Sequence, residues 1–303
     1  MILKNAEVFN GDFEKIRADV KIEGEKISKI GDFSSEEGLD LTGLVVMPCL
    51  IDIHIHGCGG ADTGDATPEA LETMSQTLVK NGVTSFCPAS MTLSFEELTK
   101  IFANIDAMKD KVGGAYIHGA NMEGPYIAMS KKGAQNPLYV RNPDKEEFKK
   151  LYEGCNGAIR VVDIAPECDG GDEFIKEIQP ICPVSIAHTD AGYDEAVHAI
   201  ELGVRHITHL FNAQSGLHHR KPGVVGAAFD VGRANGVRAE LICDGFHIHP
   251  ATLRIAFREM GEDGTVIISD SMKAAGCPDG DYDLGGQPVY VRDGKALLAD
   301  GTI

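Results

Sequence analysis

Short apolar runs alternate along this chain with stretches whose apolar positions recur every three or four residues. The runs cover residues 45–55, 83–87, 115–121, 159–165, 184–187, 204–208, 239–242 and 265–269. Runs of this length, bounded by turn residues, are what buried strands look like. Between them, helical patterns occupy 67–81, 94–109, 144–152, 193–202 and 250–260. Two of these open on a capping residue and a proline, Thr67-Pro68-Glu69 and Asn142-Pro143-Asp144. Proline suits a first helical turn, where its missing N–H would have had no partner. Eight strand candidates with helices between them predict an α/β chain whose residues 44–287 form a (β/α)8 barrel of the TIM type.

The two ends depart from that pattern. Residues 2–9, 18–22 and 26–30 read as strands separated by Asn10-Gly11 and Glu23-Gly24 turns, so residues 1–43 form a small β-layer ahead of the barrel. Residues 276–287, rich in Gly, Asp and Pro, read as a loop. Residues 288–292 and 295–299 then predict a hairpin around Asp293-Gly294, making 288–303 a terminal β-hairpin. The pattern offers no eighth barrel helix before Ile303.

Charge narrows the partners. With 46 acidic and 28 basic residues the net charge is −18, which repels nucleic acid and anionic membrane surfaces. The longest apolar stretch, near 44–55, is too short to span a bilayer and contains Asp52. The first residues lack a basic and apolar export signal, and none of the eight cysteines stands in a C-x-x-C pair. A cytoplasmic protein with reduced thiols is expected.

Candidate chemistry gathers at the strand ends. His54-Ile55-His56 places two imidazoles on one face of the first strand, where they can chelate one ion. Glu123 follows the third strand, His188 the fifth, His209 the sixth and Asp270 the eighth. Each alone reads as well as a solvated loop residue; together they matter, because a barrel collects its strand ends around one opening. Imidazoles with carboxylates suit zinc or ferrous iron better than magnesium or calcium. Glu123, His188 and His209 are the candidate first-site ligands. His54 and His56 can hold a second ion, with Glu123 bridging. Asp270 is the candidate general acid/base. A basic cluster of His206, His209, His218, His219, Arg220 and Lys221 is the most obvious local place for an anion in so acidic a chain. Asp244-Gly245-Phe246-His247 adds a polar group near the mouth. His118 reads as a core histidine or a support to a ligand, His249 and His198 as surface residues.

These stretches resemble the N-acetylglucosamine-6-phosphate deacetylase family of the amidohydrolases. The resemblance is carried by residues 47–60 (MPCLIDIHIHGCGG), 122–136 (MEGPYIAMSKKGAQN), 208–226 (THLFNAQSGLHHRKPGVVG), 244–247 (DGFH) and 269–276 (SDSMKAAG). It implies a barrel with a small flanking β-sandwich, to which residues 1–43 contribute. It also implies one or two divalent metals per subunit, a homodimer, and further residues beyond Ile303 that complete barrel and sandwich. By position it makes Glu123, His188 and His209 the main metal ligands and Asp270 the catalytic acid/base. Asn212, Ala213, Arg220 and His247 become contacts to a phosphosugar, with Arg220 reaching across from a neighbouring subunit. Gln135 stands where some relatives have a histidine that binds the acetyl carbonyl. Two other readings fit the ligand set: an amidohydrolase acting on a different N-acyl or cyclic amide, and an inactive, truncated fragment that binds sugar phosphate.

Overall fold

β-Branched residues buried on both faces make the central strands. In the computed structural model, which describes residues 1–301, Val184–Ile186 is buried throughout and Ile159–Ile164 exposes only Arg160. Such runs belong in a parallel sheet covered on both sides. The sheet follows chain order: Leu50–Ile55, Val83–Pro88, Tyr116–Ile117 with Ala120–Met122, Ile159–Ile164, Val184–Ile186, His206–Ile207, Arg238–Ile242 and Thr265–Ile268. The ladders from Val83–Pro88 onward are parallel.

The third strand is broken at Gly119, whose φ is 147°. Its first half pairs with Val83–Pro88 and its second half with Ile159–Ile164. A Cβ at Gly119 would lie 2.3 Å from Arg160 Cγ and 2.5 Å from the Ala158 carbonyl oxygen, so only glycine fits. The sheet curls until its last segment meets its first. There Asp270 N–H donates to His54 O at 3.0 Å, and the N–H groups of His56 and Gly57 donate to Ser271 O at 2.9 and 3.0 Å.

Helices cover the outside where capping chemistry starts them. Thr67 accepts from Ala70 N–H to open Pro68–Lys80, and Ser94 with Glu97 forms a reciprocal capping box for Phe95–Met108. Asp144 caps Lys145–Gly154 by accepting from Glu146 and Glu147, so Asn142-Pro143 lies before that helix rather than in it. Tyr193–Glu201 and Pro250–Gly264 follow later, the second broken at Gly261. Gly171–Ile178 was not expected; it is a helix of only eight residues, too short for its period to stand out. The core between sheet and helices is aromatic at one point: Phe174 packs with ring centroids 5.2 Å from Tyr126 and 5.6 Å from Phe148.

The chain divides into two units, Met1–Leu50 and Ile51–Ile303. In the first, Ile2–Phe9 pairs antiparallel with Lys15–Glu23, which pairs with Lys26–Gly31; Leu39–Asp40 and Val45–Val46 add to Ile2–Phe9 in parallel. Ala6, Val8 and Val20 are its buried centre. The apolar run 45–55 is therefore two strands, and Pro48, which cannot donate to a ladder, lies between them.

In the second unit a three-stranded antiparallel sheet follows the curled one: Gly280–Leu284, Gln287–Arg292 and Lys295–Leu297. Its last turn carries positive φ at Asp293 and Gly294, as a two-residue hairpin turn requires. Gly280–Leu284 is a strand where composition suggested a loop. Its glycine and aspartates mask the pairing, which buries Val289 and Val291 on the neighbouring strand against Met272 and Ala274. All eight cysteines are free thiols, and among the described residues no helix is long and apolar enough to cross a membrane.

Phe174→Ala removes a fully buried ring from the aromatic cluster. Chemical denaturation should show a loss of about 3–5 kcal/mol. A loss below about 1 kcal/mol would mean the cluster is not packed as described.

Candidate metal centre and active site

The parallel strands bring six side chains to one rim. Glu123 follows Ala120–Met122, His188 follows Val184–Ile186, His209 follows His206–Ile207 and Asp270 follows Thr265–Ile268. His54 lies at the end of Leu50–Ile55, and His56 just beyond it. At His188, His209 and Asp270 the chain enters the left-handed region, with φ of 43°, 30° and 48°. Non-glycine residues rarely adopt it, at a cost of about 1–3 kcal/mol each. Next to Glu123, a Cβ on Gly124 would lie 2.1 Å from Thr92 Oγ1, so the chain passes that point only as glycine.

Glu123 is the centre of the arrangement. Its Oε1 lies 2.8 Å from His209 Nε2, 3.1 Å from His188 Nε2 and 3.5 Å from His54 Nε2. Its Oε2 lies 3.2 Å from His56 Nε2 and accepts from Gln135 Nε2. Asp270 Oδ1 lies 3.5 Å from His54 Nε2 and 3.4 Å from His56 Nε2. Two sets of donor atoms therefore converge, His54–His56–Glu123 and Glu123–His188–His209, each within 4.8 Å of one another and each buried.

A divalent cation fits this donor set. The Nε2 atoms of His188 and His209 are 3.1 Å apart, and one shared proton cannot satisfy two imidazoles and a carboxylate oxygen together. His54 Nε2 is buried without a hydrogen-bond partner while it faces two carboxylates. The field also favours positive charge. Burial works against a protonated His54, but Glu240, Asp270 and Glu123 outweigh it and hold its pKa well above the ordinary value. His56 is pushed up to about 10, against the effect of burial, by Asp270 and Glu123. Burial opposes ionisation of Glu123 and Asp270 too, yet the facing histidines hold both well below the usual carboxylate range.

Behind the rim lies a carboxylate that the sequence reading did not single out. Glu240 is fully buried; its Oε2 lies 3.0 Å from His54 Nδ1 and accepts from the His209 N–H at 3.1 Å. This contact leaves Nε2 of His54 free to face the rim. The available signal was a glutamate inside an otherwise apolar strand, Ala239-Glu240-Leu241-Ile242. Glu240 Oε1 lies 3.4 Å from His206 Nε2, and His206 Nδ1 lies 2.9 Å from Ser185 Oγ. Thr208 Oγ1, 2.7 Å from Ser185 Oγ, donates to buried Asp163, whose carboxyl burial pushes up to about 8.

Other expected positions fall out differently. His206 does not join the basic loop. It sits at the start of its strand among the residues just named, while His218, His219, Arg220 and Lys221 are exposed beyond the strand's other end. His118 is exposed rather than in the core, because it precedes the break at Gly119. Gln135 is buried and fixed, its Oε1 accepting from Thr92 N–H at 2.6 Å. Asn212 donates to His209 O at 3.3 Å, and Ala213 O accepts from Thr189 N–H at 3.1 Å. His247 Nδ1 lies 2.6 Å from Asp244 Oδ2. His198 pairs with Asp172 on the surface, and His249 caps Pro250–Gly264.

Residues 45–281 match the amidohydrolase family. The chain belongs to that family. It is 40% identical over 264 residues to the N-acetylglucosamine-6-phosphate deacetylase of Bacillus subtilis, covering 86% of this chain and 66% of that protein. To the enzyme of the same name from Lysinibacillus sphaericus it is 34% identical over 308 residues, covering 100% of this chain and 79% of that protein. This amidohydrolase also superposes with a TM-score of 0.90 and 28% identity on a mutant N-acetyl-D-glucosamine-6-phosphate deacetylase from Mycobacterium smegmatis, solved with N-acetyl-D-glucosamine-6-phosphate. That match covers 100% of this chain and 79% of the other.

Glu240→Gln keeps the volume and removes the charge behind His54. Zinc affinity, measured by competition with a chelator, should fall about 10- to 100-fold without change in the circular dichroism spectrum. An unchanged affinity would show that Glu240 does not orient the ligand.

Proposed function

We propose that this chain hydrolyses N-acetylglucosamine 6-phosphate to glucosamine 6-phosphate and acetate, on a curled sheet that amounts to a (β/α)8 barrel. The observation that carries the reading is the convergence of Glu123, His188 and His209 on one point with Asp270 beside it. Glu123, His188 and His209 would hold a zinc or ferrous ion, and His54 and His56 a second one with Glu123 shared. Such an ion acidifies water and polarises an amide carbonyl.

The proton work falls to Asp270. Its side chain is 17% exposed, against 3% for Glu123 and none for Glu240, so it is the carboxylate of this set that a substrate can reach. As a carboxylate it can accept a proton from the attacking water and deliver it to the leaving nitrogen. Gln135 supplies an amide donor beside Glu123 for the acetyl oxygen. Asn212, Ala213, Arg220 and His247 are assigned to the phosphosugar. The exposed Arg220, with His218, His219 and Lys221 next to it, offers positive charge that a −18 chain otherwise withholds from a phosphate. In this reading Arg220 serves the site of a neighbouring subunit in a homodimer. Eight free thiols suit a reducing, cytoplasmic compartment.

Acetate release from N-acetylglucosamine 6-phosphate is the direct test. Chelation should abolish it, and zinc or ferrous iron should restore it. Asp270→Asn should lower kcat by about 10²- to 10⁴-fold while metal remains bound; wild-type turnover in that variant would sink the mechanism. Arg220→Ala should raise KM at least tenfold. A KM that does not move would favour an amidohydrolase acting on a substrate without phosphate.

A further inference from the structure

Three arginines stand together at the end of the strands opposite the metal ligands. Arg160 is the second residue of Ile159–Ile164, Arg238 opens Arg238–Ile242, and Arg205 immediately precedes His206–Ile207. Arg238 N–H donates to Arg205 O at 2.9 Å, so adjacent strand starts set these two side by side. With His118, His206 and Gln179 the arginines line a cavity of about 320 Å³ whose wall contains no carboxylate.

That composition is unusual here, because acidic residues outnumber basic ones by 46 to 28. Arg141 pairs with Glu147 and Arg292 with Asp281, whereas other arginines, such as Arg17 and Arg254, stand singly on the surface without an ion pair; what is distinctive here is three of them on one cavity. Among the described residues no ion pair is formed by Arg160, Arg205 or Arg238. Two of the guanidinium groups are nevertheless held in place. Arg160 Nε donates to His118 O at 3.1 Å, its stem lying over Gly119 where any Cβ would collide with it. Arg205 Nη1 donates to Ile200 O and Val204 O at 2.6 and 2.7 Å. Each fork is thus anchored by part of its donors, and the remaining N–H groups are free for a ligand. A compact dianion entering the cavity would meet guanidinium groups from three strand starts.

We propose that this cavity is a second anion site, separate from the rim that holds Asp270, and that it takes a phosphate group. The claim goes beyond the deacetylase reading and stands whether or not acetate is released. Two probes distinguish the source: inorganic phosphate and glycerol 3-phosphate. Tighter binding of the ester points to a phosphorylated metabolite, and equal binding to free phosphate.

The test uses the full chain loaded with zinc, in an Arg220→Ala background that weakens phosphate binding at the mouth. Calorimetric titration should show a millimolar phosphate site there. Adding Arg160→Gln and Arg238→Gln should weaken that site at least tenfold, with the thermal melt unchanged. Crystals of the unmodified protein soaked in tungstate should give an anomalous peak between the three guanidinium groups, which decides the matter even if the double variant folds poorly. A phosphate affinity that both substitutions leave unchanged, or a tungstate peak confined to the zinc and His247 region, would overturn the proposal.

Discussion

One buried carboxylate organises this molecule. Glu123 has four imidazoles and a glutamine amide around its two oxygens, in a place with almost no water. A lone carboxylate there would be prohibitively costly, and a lone imidazolium nearly so. Each is tolerated because the others come within reach, so no strand end can move without leaving a charge uncompensated. That mutual dependence also accounts for the left-handed backbone at His188, His209 and Asp270. The local cost of those conformations is offset by contacts that exist only when all the strands are in register.

The layer beneath applies the same logic inside the sheet. Glu240 faces His54 with one oxygen and His206 with the other, and the chain of contacts runs on through Ser185 and Thr208 to Asp163. These polar groups fill the centre of a sheet whose outer faces are aliphatic. They hold the first, fourth, fifth, sixth and seventh strands in fixed relation, so the candidate ligands above them rest on a stiff floor. A cation seated above them would find its donor atoms already fixed in place.

Much of this was legible in the sequence, for physical reasons. Buried parallel strands need unbroken apolar runs, and helices need caps, so both leave marks that a single chain displays. The residue types at the strand ends were enough to bring His54, His56, Glu123, His188, His209 and Asp270 to one rim. What stayed hidden depended on partners distant in sequence. Glu240 looks like an interruption of a strand until His54 is placed opposite it. His206 looks like part of a basic loop until the short strand His206–Ile207 turns it toward Ser185. Gly280–Leu284 has the composition of a loop and becomes a strand because Gln287–Arg292 pairs with it.

The hydrogen bonds joining Asp270 to His54, and Ser271 to His56 and Gly57, lie among the ligands themselves. The same few residues that gather charge also tie the last segment of the curled sheet to the first through their main chain. Because these are main-chain bonds, closure of the sheet does not depend on which side chains stand at the rim, so the chemistry there can be altered while the curl is kept.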